Sequence, residues 1–238
     1  MQPLPNIHTA PRIAIDTETD GLSPAHGDRP YSVQIAVPGH KWHFDMRYDD
    51  RIVSWLKDQL RRYKKPIVCH NASFDYRMLD AIGVKLPIAQ LKDTCIQETL
   101  IWEHHQTYSL DYLAKKRCKF NFKQGDVLYA ALADKFGGRA TRKAQMGNLH
   151  KVTPDMGTLW DLAVQYSVDD AAACLELYEW QEKEIAKQGL EHILDLENRL
   201  MPYVIRAEQR GIRVDIAKAQ RAVTTVDTQC NALQDAID

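Results

Sequence analysis

The amino-acid sequence predicts a layered α/β or α+β fold in which a sheet is flanked by helices. Up to about residue 70, short apolar runs are separated by turn residues, as is typical of strands. From residue 94 onward, apolar residues recur mostly at helical spacing. Strands come first, a β-α-β segment follows, and helices complete the chain. This order is expected of a sheet that is covered by helices.

Local patterns predict each element. Four strands are predicted, at 12–16, 31–37, 41–45 and 66–70. Three helices are predicted, over 49–62, 73–82 and 158–180. The first of these helices rests on Ile52, Leu56 and Leu60, which repeat at helical spacing. Polar stretches with Gly and Pro connect the first strands.

The composition is that of an ordinary globular protein, with 238 residues, 45% apolar and 26% charged. This length fits one sizeable domain, or one domain with a short extension. The net charge of -1 excludes a globally basic nucleic-acid-binding surface. The five cysteines form no C-x-x-C pair, which favours reduced thiols in the cytoplasm over a disulfide scaffold or zinc ribbon. No signal peptide or membrane span is expected, because no apolar run is long enough.

The stretch IAIDTETDGL, residues 13–22, contains two acids directly after an apolar strand core. Asp16 and Glu18 lie two residues apart, so on a strand both carboxylates point to the same face. Crowded like charges are unfavourable unless a positive group lies between them. A solvated strand end is the alternative explanation for a single Asp-x-Glu.

Two further segments place acids among apolar residues. Asp75, in HNASFD, is predicted in the first turn of a helix, where the helix dipole tolerates an anion. In YSVDD, Tyr166 and Asp170 are one helical turn apart and share a face. Taken alone, each acid has an alternative explanation. Asp75 could be an ordinary acid at a helix start, and Asp170 could be a helix residue that faces solvent. Asp169 is near enough to the same face that helix geometry allows either aspartate to reach a site.

Taken together, these acids form a set of oxygen ligands without His or Cys, which suits a hard cation such as Mg²⁺ or Mn²⁺. Two such ions about 4 Å apart can activate a water and stabilise the leaving oxygen in phosphodiester cleavage. The four histidines that invite a zinc interpretation lack cysteine partners at ligand spacing and are interpreted as ordinary strand and surface residues: His40, His43, His104 and His105.

The three acidic segments, in this order, resemble the Exo I, Exo II and Exo III motifs of the DEDD superfamily of 3′–5′ exonucleases. IDTETDGL resembles the first motif, HNASFD the second and YSVDD the third. The third has the Tyr-x-x-x-Asp form of the DEDDy branch, and this pattern selects Asp170 over Asp169. The resemblance is greatest to the proofreading domain of family A DNA polymerases, from phage or bacteria, and covers roughly residues 10 to 185.

The resemblance implies a ribonuclease-H-like fold, with a five-stranded mixed sheet and helices on both faces. It implies two Mg²⁺ ions, for which Mn²⁺ can substitute. Asp16, Glu18 and Asp170 would hold the first ion, Asp16 would bridge to the second, and Asp75 would act mainly through the second. Tyr166 would hydrogen-bond the attacking water. The implied reaction releases deoxynucleoside 5′-monophosphates from the single-stranded 3′ end of DNA.

The resemblance also implies contacts with the substrate. Leu22 falls where the family places an apolar wedge against the terminal base, although a plain turn-packing residue would look the same. Asn71 and Phe74 fall beside the terminal nucleotide. Thr17, between the two acids of the first motif, is expected to contact the substrate as well.

Two regions are predicted along the chain, an exonuclease domain at 1–188 and a helical connector at 189–238. The stretch LENRLMPYVIRAEQRGIRVD resembles the connection that leads into the thumb of family A polymerases. An ordinary amphipathic helix ended by Gly211 would have the same pattern. The expected partner is a DNA polymerase domain, in cis if the chain is a truncated polymerase and in trans if the exonuclease is encoded separately.

Two stretches outside the motifs carry predictions of their own. Lys115–Lys143 contains nine Lys/Arg against two acids, with four aromatic residues interleaved: Phe120, Phe122, Tyr129 and Phe136. This stretch is predicted to track or steer a single strand, and a solvated basic face is the alternative. Residues 216–237 carry a heptad-like apolar stripe, predicted either to pack against another copy or to fold back on its own domain.

Two other functions fit the motifs. An RNA-trimming relative of the DEDDy branch would carry the same acids, but typically a helical RNA-binding domain would follow it. A catalytically inactive scaffold domain is disfavoured because all four acids and the tyrosine are present.

Overall fold

The computed structural model describes residues 4–120 and 125–237. The chain divides into two compact units, Met1–Ile205 and Arg206–Asp238. The first unit contains one five-stranded sheet, formed by Ile13–Thr19 (β1), Pro30–Val37 (β2), His40–Asp45 (β3), Ile67–Cys69 (β4) and Leu91–Asp93 (β5).

The sheet has the order β3-β2-β1-β4-β5. β1, β2 and β3 pair antiparallel, whereas β1, β4 and β5 pair parallel, which confirms the predicted mixed five-stranded sheet. β1 continues to Thr19, beyond the predicted end at residue 16, so Glu18 lies within the strand. β5 was not among the strands predicted from local patterns, because its three residues, Leu91, Lys92 and Asp93, include two charges and form no apolar run.

The helices of the described residues are Arg51–Arg62 (α1), Ala72–Ala81 (α2), Thr94–Ile101 (α3), Leu110–Cys118 (α4), Gly125–Phe136 (α5), Arg142–Gln145 (α6), Thr158–Gln188 (α7), Glu191–Arg210 (α8) and Ile216–Ile237 (α9). The predicted helices 49–62 and 73–82 agree with α1 and α2 within two residues at each end. α7 contains the whole predicted helix 158–180 and continues for two more turns. Phe122 and Lys123 of the basic stretch lie outside the described residues.

The alternation of side chains along β1 creates two different cores. Ile13 and Ile15 pack in a large cluster with α1, α2 and the neighbouring strands. Ala14 points to the opposite face and packs with Ala36 and Val68 against α7. Since alanine side chains are small, α7 can approach the sheet closely on this face. Asp16 and Glu18 follow Ala14 at two-residue spacing, so they share the face covered by α7.

The apolar stripe of α9 lies in the second unit, where no side chain of the helix is buried. Five members of the stripe are more than half exposed: Ile216, Val223, Val226, Leu233 and Ile237. The partner of this stripe therefore stays a prediction. Within the described ranges, no helix has both the length and the apolar character needed to cross a membrane.

Candidate active site

The structure brings three of the predicted acids together at the sheet face covered by α7. Asp16 and Glu18 come from β1, and Asp170 comes from α7. One carboxylate oxygen from each residue lies within 4.8 Å of the other two. Glu18 is buried, and Asp16 and Asp170 are partly buried. Three carboxylates at this separation form an all-oxygen pocket for a cation.

Burial dominates the electrostatics of the three acids, and the charge of Arg142 offsets it only in part. Burial and the charges of Asp75, Asp170 and Glu18 raise the pKa of Asp16 well above its ordinary value. Burial raises the pKa of Glu18 to about 7, although the Ser167 hydroxyl opposes the rise. Burial and the charge of Glu18 raise the pKa of Asp170 as well. A cation between these acids would offset the burial and the repulsion that disfavour their charged forms.

A second observation supports a divalent cation at these three acids. Oδ1 of Asp170 is buried, and it has no hydrogen-bond partner among the described residues. Buried polar atoms in proteins are nearly always paired, so an unpaired oxygen on a carboxylate of this cluster fits a bound cation. Oxygen atoms are the ligands that Mg²⁺ and Mn²⁺ prefer.

Asp75 occupies a different position from the three-acid cluster. It lies in the first turn of α2, as predicted, and its side chain is 2% exposed. Thr17 Oγ1 donates a hydrogen bond to Asp75 Oδ1 at 2.7 Å. Burial raises the pKa of Asp75 to about 7, and the hydrogen bond from Thr17 opposes the rise. Asp75 is near enough to raise the pKa of Asp16, so it adjoins the cluster without joining it.

This arrangement assigns Thr17 a contact that differs from its predicted one. Thr17 is buried on β1, and its hydroxyl is directed to Asp75 rather than to solvent. Because neighbouring residues of a strand point to opposite faces, Thr17 reaches α2 while Asp16 and Glu18 face α7. β1 therefore carries Asp16 and Glu18 on one face and holds Asp75 through Thr17 on the other.

Tyr166 lies one helical turn before Asp170 on α7 and is 4% exposed. Tyr129 of α5 donates a hydrogen bond to the Tyr166 hydroxyl at 3.3 Å. Burial and the charge of Asp170 raise the pKa of Tyr166, so its hydroxyl stays protonated at neutral pH. Tyr166 is therefore suited to hydrogen bonding and not to acting as a base.

The neighbouring aspartate, Asp169, has different contacts. Its Oδ1 accepts from Lys41 Nζ at 2.5 Å and from Gln165 Nε2 at 2.8 Å. The ion pair joins α7 to β3. Asp169 is thus already neutralised, whereas Asp170 belongs to the unneutralised cluster.

The loop after β1 presents Leu22, whose side chain is 78% exposed. Hydrogen bonds hold the loop around it: Thr19 Oγ1 donates to the carbonyl of Gly21, and Ser23 N donates to Asp28. The Asp28 carboxylate lies so close to Gly21 that an added Cβ would meet it at 2.2 Å. An exposed leucine on a braced loop is not a turn-packing residue, so the structure leaves Leu22 available for contact.

Asn71 and Phe74 lie at the start of α2, on the turn that carries Asp75. Asn71 is exposed and has a left-handed backbone, with φ 68. Phe74 is partly buried. The short turn Pro24–His26, which follows Leu22, contacts α2. Leu22 therefore belongs to a loop that adjoins the helix of Asn71 and Phe74.

Part of the basic stretch adjoins Tyr166. A cavity of about 540 Å³ is lined by Asp111, Lys115, Lys119, Phe120, Gly125, Asp126 and Tyr166. Two lysines and one aromatic ring of the stretch thus share a cavity with the candidate catalytic tyrosine. Their cationic and aromatic side chains suit a nucleic-acid strand, and the two aspartates in the same lining moderate the charge.

Four residues near the acids were not singled out as site residues by the motifs. Ser167 lowers the pKa of Glu18, and its hydroxyl donates to the Ala163 carbonyl at 2.8 Å. Tyr129 donates a hydrogen bond to Tyr166. The charge of Arg142 lowers the pKa of Asp16, Glu18 and Asp170, although it makes no ion pair with them and lies 3.5 Å from Asp111. Only Ser167 had a local signal, its position inside YSVDD. Tyr129 lies 37 residues before Tyr166, and Arg142 lies 28 residues before Asp170 along the chain.

The mixed sheet with helices on both faces places the chain in the class of ribonuclease-H-like exonuclease folds. Within this class, the chain belongs to the 3′-5′ exonuclease family of the family A DNA polymerases, because the model of this family matches residues 4–186. The matched region contains all of the acids described above.

Curated relatives include phage DNA polymerases. DNA polymerase DpoZ of Vibrio phage phiVC8 is 42% identical over 224 residues, covering 89% of this chain and 34% of the relative. DNA polymerase DpoZ of Acinetobacter phage SH-Ab 15497 is 41% identical, covering 94% of this chain and 34% of the relative. The chain therefore spans about a third of the length of the curated relatives that it matches.

Solved structures share the fold at low identity. Brucella melitensis NrnC bound to pGG has a TM-score of 0.62 and 19% identity, covering 90% of this chain and 93% of that chain. The POL domain of Pol1 from M. smegmatis, in complex with DNA primer-template and dNTP, has a TM-score of 0.61 and 18% identity. That match covers 96% of this chain and 34% of that chain. These likenesses show the fold alone.

Proposed function

We propose that this chain is a metal-dependent 3′–5′ exonuclease of the DEDDy type that removes deoxynucleoside 5′-monophosphates from single-stranded or frayed DNA ends. The main support is the cluster of Asp16, Glu18 and Asp170, whose carboxylate oxygens lie within 4.8 Å of one another. The cluster has an unpaired Asp170 oxygen on one side and a buried Tyr166 one turn away. The family match and the phage polymerase relatives support the direction of cleavage and the choice of DNA.

In this proposal Asp16, Glu18 and Asp170 would hold a Mg²⁺ ion, and Asp75, which adjoins them, would help to hold a second. When bound, such ions lower the pKa of a water and stabilise charge on the leaving oxygen. Water oxygen bonds to phosphorus and the bond between phosphorus and O3′ breaks. The shortened strand keeps a 3′-hydroxyl, and the released nucleotide carries the 5′-phosphate.

The protein's own groups position the reactants. Tyr166 stays protonated at neutral pH, because burial raises its pKa, so its hydroxyl orients the attacking water without taking its proton. Tyr129 donates to the Tyr166 oxygen, which directs the Tyr166 proton elsewhere. Thr17 fixes the Asp75 carboxylate from the other face of β1.

Leu22 is proposed as a wedge against the terminal base, with Asn71 and Phe74 beside the terminal nucleotide. Its 78% exposure on a braced loop supports this role. Only an unpaired 3′ end can reach a site recessed among these side chains, so a mismatch lowers the cost of entry. This selection is the physical basis of a proofreading role.

The same relatives support a polymerase partner. We propose that residues 189–238 connect the exonuclease domain to a DNA polymerase domain, in the same chain or in a separate one. The phage relatives are DNA polymerases about three times as long as the matched region. Their names also favour DNA over RNA as the substrate.

The test is release of labelled nucleotide from 3′-labelled single-stranded DNA. We expect release with Mg²⁺, release with Mn²⁺ in its place, and none in EDTA. A matched RNA oligonucleotide in the same assay separates the proposed activity from RNA trimming. Full activity in EDTA would exclude the metal-dependent mechanism, and no cleavage under any condition would favour an inactive scaffold.

A further inference from the structure

The turn between β4 and α2 depends on support from elsewhere in the chain. Asn71, at the N-cap of α2, has φ 68 and ψ 58, a left-handed conformation that non-glycine residues seldom adopt. Its side chain is exposed and makes no cap hydrogen bond. Because a helix leaves its first N–H groups without intrahelical partners, those of α2 need another acceptor.

Asp93 supplies that acceptor from the neighbouring strand. It ends β5, and its register partner on β4 is Cys69. Asp93 Oδ1 accepts from Asn71 N at 3.1 Å, and Oδ2 accepts from Ala72 N at 2.8 Å. Oδ1 also accepts from Cys95 N at 2.8 Å, as the N-cap of α3. One buried carboxylate, 6% exposed, therefore caps two helices.

Thr94, the residue after Asp93, also holds the connection between β4 and α2. Thr94 Oγ1 donates to the Cys69 carbonyl at 3.3 Å and lies 2.8 Å from His70 Nδ1. His70 Nε2 lies 2.8 Å from the Tyr108 carbonyl oxygen. The backbone from Cys69 to Ala72 is thus held at successive residues, and this backbone leads directly into the turn of α2 that carries Asp75.

We propose that Asp93 is a positioning residue for the exonuclease reaction, because it holds the Asn71 turn and so orients Asp75 toward the three-acid cluster. This inference rests on the proposed function. Since Asp93 performs the capping that an N-cap side chain usually performs, the Asn71 amide stays exposed and available to a nucleotide. Asp75 follows four residues later, so a displaced turn moves its carboxylate away from the cluster.

The variant that separates the two capping roles is Asp93→Ser. Serine is a good N-cap and keeps one oxygen for Cys95 N, but it cannot also reach the N–H groups of Asn71 and Ala72. We expect kcat on single-stranded DNA to fall by about tenfold or more, because misplacing a reactive group is costly in rate. We also expect a weaker Mn²⁺ affinity, with part of the rate restored by a higher Mn²⁺ concentration.

The matched control is Asp215→Ser, at an aspartate that accepts from Lys218 N at the start of α9, in the second unit. It should leave the rate and the Mn²⁺ dependence unchanged. Amide hydrogen exchange of the segment 69–75 measures the turn directly. It should become faster in Asp93→Ser and stay unchanged in the control.

The outcomes are distinguishable from one another. Unchanged exchange at 69–75, or faster exchange with a parent-like rate and Mn²⁺ affinity, would overturn the inference, and so would a lowered melting temperature as the only effect. If Asp93→Ser does not fold, Asp93→Asn, which keeps the side-chain shape and one acceptor oxygen, decides on the same criteria. If the parent cleaves no DNA, the proposed function fails, and exchange together with Mn²⁺ titration still decides whether Asp93 holds Asp75 in place.

Discussion

Two groups of buried carboxylates in the first unit differ in how their charge is balanced. Glu98 on α3 is fully buried, and both of its oxygens have partners. Arg117 of α4 donates to Oε1 at 2.8 and 2.6 Å, and His105 Nε2 lies 2.8 Å from the same oxygen. Gln181 of α7 donates to Oε2 at 2.9 Å. This group is neutralised within the protein and joins three segments of the fold.

The cluster of Asp16, Glu18 and Asp170 has the opposite balance. Its three carboxylates face one another, and no lysine or arginine in the described parts of the chain forms an ion pair with them. Asp170 Oδ1 is buried without a partner. A buried acid with partners inside the protein stabilises the fold, whereas a cluster of buried acids without ion-pair partners could bind a metal ion.

The largest expected effect separates the adjacent aspartates of YSVDD, which repeat the same contrast. Asp170→Asn should reduce cleavage about a thousandfold, about 4 kcal/mol of barrier, because it removes a metal ligand. Asp169→Asn should cost about tenfold or less, about 1.4 kcal/mol, since Asp169 is paired with Lys41. Tyr166→Phe should fall between them.

Single-turnover rates on 3′-labelled single-stranded DNA measure this difference, and Asp16→Ala should match Asp170→Asn. The melting temperature of each variant serves as the control for folding. An inactive Asp169→Asn beside a mild Asp170→Asn would shift the third motif by one residue.

The second prediction compares the same substitution, glutamate to glutamine, in the Glu98 group and in the three-acid cluster. Glu98→Gln should destabilise the protein by about 3 kcal/mol, because it leaves the Arg117 guanidinium without its counter-charge. Glu18→Gln should instead stabilise the metal-free protein by about 1 kcal/mol at pH 8, because it removes one of three repelling charges. Urea unfolding in EDTA measures the free energy of unfolding of both variants. Losses of equal size and sign would contradict the contrast between the groups.

The third prediction concerns pH. The pKa of Glu18 rises from 4.5 to about 7 and that of Asp75 from 3.8 to about 7 on folding, chiefly because of burial. Protonated forms are thus favoured in the folded state. The resulting stability is fully present below the unfolded pKa values and is lost as pH rises through about 7.

The metal-free protein should therefore lose on the order of 5 kcal/mol of unfolding free energy between pH 5 and pH 8, about half from each of the two groups. Mg²⁺ should restore stability at pH 8, because it binds only the ionised carboxylates of the folded state. Thermal unfolding at both pH values, with and without the ion, provides the measurement. Stability that rises with pH in EDTA would mean that the acids are already neutralised.

The smallest expected effect concerns the arginine that acts on the acids from a distance. Arg142 is 53% exposed and pairs only loosely with Asp111, unlike Arg117, which contacts Glu98 directly. Replacing Arg139, Arg142 and Lys143 with Gln should weaken DNA binding and flatten its salt dependence, with a change of unfolding free energy below about 0.5 kcal/mol. Binding of single-stranded DNA to an Asp170→Asn background, measured over a range of salt, tests this, and an unchanged slope would favour a solvated basic face.

The sequence by itself determined the parts of the site that depend on local periodicity. Strand alternation placed Asp16 and Glu18 on one face, and helix geometry placed Tyr166 and Asp170 one turn apart. The order of the three motifs led to the family, which the family model confirms. The two geometric features could be predicted because each depends on residues only a few positions apart.

Only the tertiary structure decided which faces meet and what each acid contacts. The hydrogen bond from Thr17 to Asp75 spans 58 residues, that from Asn71 to Asp93 spans 22, and that from Tyr129 to Tyr166 spans 37. Asp169 and Asp170 are alike in sequence, yet one is neutralised by a lysine of β3 and the other is not. The physical reason is that a charge acquires its role from its neighbours in space, and packing across the sheet, not sequence spacing, determines those neighbours.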